Sequence, residues 1–378
     1  MPNPNEVATL TTGGETFSNW KTVMVRRDFG APSSEFSFSS VEPGSAGKGW
    51  AGMRFKPFDP VQVKLAGIQV IEGSVTTRST SMDAQGHEIM IQGRSRVCSI
   101  VDSSVPIKPG TFSGQTYEQV ARGLLAPHGI GLVVRNPPPI FTKPFKSLVP
   151  QYGETFEEML GRMAAMRGVF HVDDAQGNLV VGQGNPSAAP VATLQEGVNI
   201  KSISCRLDNQ NAWSVMSTIG QNVGDDYNHP PRDYSGSSVD ATVPDTRKKI
   251  MMAPHPGDSD EMTAHTNHAR AVATWNIVQC TIIVQGWLRP DSKLWDTCDN
   301  VSVKSPSAFP NEDGFQTLGI QSVTFSQDND NGTTTTLTCV LPNALASVQA
   351  LNPQPSGNAD PTSGSALGTA KPDPSDTD

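Results

Sequence analysis

Apolar and polar residues alternate through much of the first hundred positions. Val23 and Val25 stand in TVMVRR, Phe36 and Phe38 in EFSFSS, Val61, Val63 and Leu65 in VQVKL, and Ile89 and Ile91 in HEIMIQ. A period of two places the apolar side chains on one face of a half-buried strand. Such runs, separated by Gly, Ser and Pro, predict an antiparallel barrel or sandwich over residues 1–105.

After Pro109 the period lengthens. TYEQVARGLLAPHGI, from Thr116, opens with the T-x-x-Q spacing of a capping box, puts Val120, Ala121, Leu124 and Leu125 on one helical face and offers Gly129 as a stop. TFEEMLGRMAAMRGV, starting 39 residues later at Thr155, repeats the design with Glu158 in the box, Met159, Leu160, Met163 and Ala164 on the face and Gly168 as the stop. Each is followed by a short strand, GLVVR and then VFHVDDAQGNLVV. Two copies are too few for a solenoid, so residues 106–190 read as a compact α/β insert with a duplicated helix–strand unit.

Strand patterning returns in NIKSISCRL and AWSVMSTIG and again in CTIIVQGWL, NVSVKS, LGIQSVTFS and TTTTLTCVL. Residues 191–350 are therefore expected to form a second barrel-like domain with one helix at about 259–275, where Asp258 and Glu261 have capping spacing. The polar stretch 220–244 has the composition of an extended, mobile loop. Residues 351–378 have almost nothing to bury and are expected to be disordered. The fold class is mainly β with an α+β insert, two barrel-like domains flanking a small α/β module.

Composition narrows the function. The chain has 378 residues, enough for two or three domains each with its own core. Against 28 Lys and Arg stand 37 Asp and Glu, for a net charge of -9, and no basic block is present, which argues against a nucleic-acid clamp. The five cysteines, Cys98, Cys205, Cys280, Cys298 and Cys339, are at least 18 positions apart, so no CxxC motif exists and reduced, buried thiols are expected. The first residues carry no basic and apolar signal segment, and no apolar run is long enough to span a membrane.

Several clusters invite a chemical reading. In IQGRSRVCSIVDSSV, Arg94 and Arg96 would share a strand face and could grip an anion, but a solvated or subunit-facing edge near Asp102 is the simpler account. Cys98 lies among Val97, Ile100 and Val101 with no histidine base nearby, as a structural thiol would. His265 and His268, with His255 upstream and Asp258, Asp260 and Glu261 nearby, have helical spacing for a metal site but lack the H-E-x-x-H pattern. A polar helix face fits them better. The paired carboxylates Asp173–Asp174 sit in a hairpin turn, and Asp225–Asp226 fall in the polar stretch. GNLVVGQGN has neither a Walker lysine nor a following helix start. No catalytic, cofactor-binding or metal-binding residue is assigned.

Taken together and in order, FKPFDPVQVKLAGIQVIEGSV, IQGRSRVCSIVDSSV, the twin helical segments, VQGWLRPDSKLWDTCDNVSVKSP and LGIQSVTFSQDNDNGTTTTLTCVLP resemble the Mu-type baseplate hub family of contractile phage tails, over about residues 20–342. The resemblance implies two tail-tube-like barrels per chain and a homotrimer presenting a pseudo-sixfold ring. Its implied partners are the hexameric tail-tube protein, the trimeric central spike and other baseplate wedge proteins, with genomic DNA passing through without specific binding. It implies a virion component assembled in the host bacterial cytoplasm, with no catalysis and no cofactor. The alternatives are a tail-associated cell-wall or polysaccharide hydrolase, which would need paired carboxylates in a cleft, and the hub of a phage-derived tailocin or secretion device.

Overall fold

The computed structural model describes residues 6–42, 55–82, 87–106, 110–221, 233–310 and 314–347. The alternating runs of the first third become β1 (Ala8–Thr12), β2 (Glu15–Phe17), β3 (Thr22–Asp28), β4 (Glu35–Glu42), β5 (Pro60–Leu65), β6 (Ile68–Met82) and β7 (His87–Ser95). Their apolar positions, Val25, Phe36, Phe38, Val63 and Ile91 among them, are fully buried in one core. The chain then leaves through a short helix, α1 (Cys98–Val101).

The α/β insert holds α2 (Tyr117–Leu125), β8 (Leu132–Arg135), α3 (Phe156–Arg167), β9 (Phe170–Asp173) and β10 (Leu179–Gly182). Both helices begin with the reciprocal capping box read from their sequences, Thr116 with Gln119 and Thr155 with Glu158. Gly168 closes α3 in the left-handed conformation (φ 63°) that a side chain would strain. The three strands form their own sheet, β8–β10–β9, and the helices bury Tyr117, Leu125, Met159 and Met163 in a second core.

The second barrel-like unit is assembled from β11 (Ala192–Gln195) and β12 (Ile200–Leu207), and resumes only much later in the chain. Between them and the rest lie β13 (Val215–Gln221), β14 (Asp233–Val239), β15 (Lys248–Met252) and α4 (Ser259–Thr274), which form a separate three-stranded sheet with a helix against it. The unit then continues with β16 (Val278–Gln285), β17 (Asn300–Lys304), β18 (Gln316–Asp328) and β19 (Gly332–Val340). Residues 233–239, expected in a mobile loop, are thus a strand. Its inward positions are Gly236 and Ser238, and a Cβ on Gly236 would lie 2.2 Å from the backbone nitrogen of Thr263, so the close approach of α4 requires glycine there. Residues 220–221 of the expected loop end β13, residues 240–244 form a turn, and 222–232, like the expected disordered tail, 351–378, lie outside the described residues.

Strand order shows an internal repeat. The strands β1, β3, β4, β5, β6 and β7 pair as β3–β4–β7–β6–β5–β1, and β11, β12, β16, β17, β18 and β19 pair as β12–β16–β19–β18–β17–β11. Connectivity along the chain is the same in both, although β11 runs parallel to β17 while β1 runs antiparallel to β5. Both long strands carry a bulge at the same place, between Val75 and Thr77 in β6 and between Ile320 and Ser322 in β18. The strand entry before each is also alike: Phe58 (φ 73°) and Cys298 (φ 67°) are left-handed, and their N–H groups donate to Val75 O and Ile320 O, both at 2.8 Å. Antiparallel pairing of β18 with β3 joins the two units into one 13-stranded sheet.

The expectation of reduced thiols is corrected in part. Cys205 and Cys280 are opposite each other on β12 and β16 and are joined by a disulfide, a pairing that a separation of 75 residues hides in the sequence. Cys98, Cys298 and Cys339 are free.

Candidate functional site

The arginine cluster of β7 does not form a common anion grip. Arg94 pairs with Asp102, while Arg96 turns the other way, 3.3 Å from Glu72 and 2.5 Å from the carbonyl of Gln176 in the β9–β10 turn. Each guanidinium is taken by its own partner. These pairs are a third or more exposed, so Arg94→Ala should change stability by less than about 1 kcal/mol. A urea midpoint shifted beyond that would reveal a role that the visible pair does not explain.

The histidines are separated as well. His265 Nδ1 is 2.9 Å from Thr218 Oγ1, His268 stacks on the Phe170 ring with centroids 4.5 Å apart, and His255 packs edge-on against Phe145. The acids that could have completed a metal site are engaged elsewhere: Lys143 Nζ lies 2.6 Å from Asp258 and 3.1 Å from Asp260, and Glu261 accepts from Arg167 at 2.7 Å. Among the described residues no group of three or more His, Cys, Asp or Glu side chains is arranged to hold a metal ion. The glycines of GNLVVGQGN serve packing: a Cβ on Gly182 would fall 1.6 Å from the carbonyl oxygen of Arg135 on the paired strand β8.

Free thiols are likewise set against reactivity. Burial pushes the Cys98 and Cys298 thiols up, and that of Cys339 up to about 12, so little of the nucleophilic thiolate is present near neutrality.

What the fold does bring together is a joint between its parts. Asp174 is a turn residue, as expected, accepting from the backbone of Gln176 and Asn178. Its neighbour Asp173 is buried and accepts from Ser34 N at 2.9 Å and Ser34 Oγ at 2.6 Å. Arg27 on β3 donates to Asp173 O at 3.0 Å and to Asp296 Oδ1 at 2.8 Å. First barrel, α/β insert and second barrel therefore meet on one guanidinium. Phe29 sits beside it, 5.0 Å from Phe170, and Trp275 at the end of α4 donates Nε1 to Ala344 O at 2.7 Å. The sequence gives no hint of this joint, because Arg27 and Asp296 are 269 positions apart. Its chemistry is mechanical: the two terminal nitrogens of Arg27 and the carboxylate of Asp173 hold barrels and insert together.

The comparisons with known proteins follow the same division. Residues 7–95 match the model of the Mu phage baseplate assembly protein GpP-like N-terminal domain, and residues 97–183 match the second domain of gp44-like baseplate hub proteins. The chain thus carries a stretch similar to each of these two domains, together a little under half of its length. The chain is 25% identical over 303 residues to the baseplate hub protein gp44 of Escherichia phage Mu, covering 77% of each. Its fold superposes on the 43 kDa tail protein of prophage MuSo2 from Shewanella oneidensis with a TM-score of 0.75 and 24% identity, covering 90% of this chain and 99% of that one. It also resembles the E. coli c3393 protein, a component of the type VI secretion system with similarity to T4 tail proteins gp27 and gp5, at a TM-score of 0.53 and 13% identity over 88% of this chain and 76% of that one. The chain is thus a baseplate hub protein of the phage-tail kind.

Proposed function

We propose that the chain works as a homotrimer that adapts the hexameric tail tube to the trimeric central spike and leaves a channel for the genome. The repeated barrel-like unit carries this reading: two units of one connectivity per chain give six in three chains, the number a sixfold tube requires. Contacts between copies would be head-to-tail and closed after three. The role is structural, without catalysis or cofactor, in the baseplate of a virion assembled in the bacterial cytoplasm alongside wedge proteins. A net charge of -9 suits DNA that slides past rather than binds.

Sedimentation should give the mass of three chains, and end-on particle images should show threefold outlines with six lobes. A stable monomer, both alone and mixed with a spike protein, would overturn the reading. Turbidity of a purified cell-wall suspension should stay constant on addition of the protein; clearing would favour a hydrolase instead.

A further inference from the structure

The internal repeat has one junction inside the chain and leaves the matching junction open. At the internal junction, the half of β18 beyond its bulge pairs antiparallel with β3 in the register Ser322↔Asp28, Thr324↔Arg26, Phe325↔Val25 and Gln327↔Val23. In the first unit, the same half of β6 is bonded only to β7 among the described residues, because β5 reaches only as far as Ser74. In the second unit, β12 occupies the place of β3 and is bonded only to β16 among the described residues. Among the described residues two strand edges are thus left open, and they are the repeat equivalents of a pair the chain already makes.

We infer that the outer half of β6 pairs antiparallel with β12 of a second copy of this chain, in the register of the internal junction. Aligning the two bulges, and the pairs Val25↔Phe36 and Cys205↔Cys280, fixes the match. Thr77 then faces Asp208 of the next copy, Ser79 faces Arg206, Ser81 faces Ser204 and Met82 faces Ile203. The inference rests on the proposed homotrimer and identifies the strands that close it.

Exposure supports the match independently. Phe58 is 89% exposed, Met82 81% and Leu207 70%, large values for apolar side chains beside strand edges. Their repeat equivalents at the internal junction are covered. Cys298, in the place of Phe58, packs against the Phe29 and Phe170 cluster, and Arg27, in the place of Leu207, has its side chain only 12% exposed. A second copy on these edges would cover the three exposed residues as the chain covers their counterparts.

The test is disulfide trapping in the full-length protein. The double variant Ser81→Cys with Ser204→Cys places two exposed thiols opposite each other across the inferred junction. Oxidised glutathione should convert most of the chain to covalent dimers and trimers and nothing larger. Each single variant, and the off-register pair Thr77→Cys with Ser204→Cys, whose positions would lie roughly 13 Å apart along the strands, should stay at the mass of one chain. A trimer by sedimentation without trapped species would overturn this edge pairing while leaving the trimer reading intact. A monomer without trapped species would overturn both, and a ladder running past three would contradict closure.

Discussion

Arg167→Ala should destabilise the protein by about 3–5 kcal/mol, the usual cost of leaving one member of a buried ion pair without its partner. Arg167 is fully buried at the end of α3, and its Nη1 lies 2.7 Å from Glu261 Oε1 on α4, itself almost inaccessible. The same guanidinium donates Nε to Lys143 O at 3.2 Å and stands 3.8 Å over the Phe145 ring. Glu261 cannot turn away to water, because its other oxygen accepts from Asp258 N at 2.9 Å in the capping box of α4. Burial pushes the Arg167 guanidinium down and the Glu261 charge opposes that shift, so the pair is held by mutual need. Glu261→Gln keeps the capping acceptor while removing the charge. The double variant Arg167→Met with Glu261→Gln should therefore cost clearly less than the sum of Arg167→Met and Glu261→Gln made singly. Urea unfolding of the unaltered protein, Arg167→Ala and the three variants of the cycle decides it: a loss under about 1 kcal/mol for Arg167→Ala, or simple additivity, would sink this account of the α3–α4 contact.

How much of this was legible follows from the range of the interactions. Capping boxes act over three residues, so Thr116 with Gln119, Thr155 with Glu158 and Asp258 with Glu261 could be read directly, and all three form. Alternation acts within a strand, so most barrel strands were evident. β14 was not, because DYSGSSV buries glycine and serine against a helix rather than Val or Ile, and the period-two signal depends on bulky side chains. The joint at Arg27, the Cys205–Cys280 bond and the Arg167–Glu261 pair link positions 75–269 apart, and no local pattern announces them. The repeat was hidden for a related reason. Equivalent strands share connectivity, bulge and left-handed entry, while Val25 corresponds to Cys205 and Phe36 to Cys280. Backbone geometry can persist where side chains have been exchanged, provided each core still packs.

Lowering the pH from 7.5 to 5 should remove about 6 kcal/mol of folding stability, most of a domain's usual margin. Three buried histidines cause this. Burial pushes His171 down to about 4 and His255 and His268 down to about 3. Around His255 the charges of Arg162, Arg167 and His265 act in the same direction, and around His268 those of His265 and His171. The unfolded chain offers an ordinary histidine near 6.5, so it binds more protons than the folded one once the pH drops below that value. Stability is complete above pH 6.5 and falls as pH falls, by about 2 kcal/mol per histidine at pH 5. Depressed carboxylates such as Asp258 lose their contribution only in more acidic solution, below the window in which the histidines act. Both ring nitrogens of His255 lack a hydrogen-bond partner, so His255→Leu removes a proton acceptor without breaking a bond. That variant should narrow the gap between the urea midpoints at pH 7.5 and pH 5 by about a third of its size. A midpoint that does not move between these two pH values in the unaltered protein would show that the histidines gain access to water, or to a carboxylate, without unfolding.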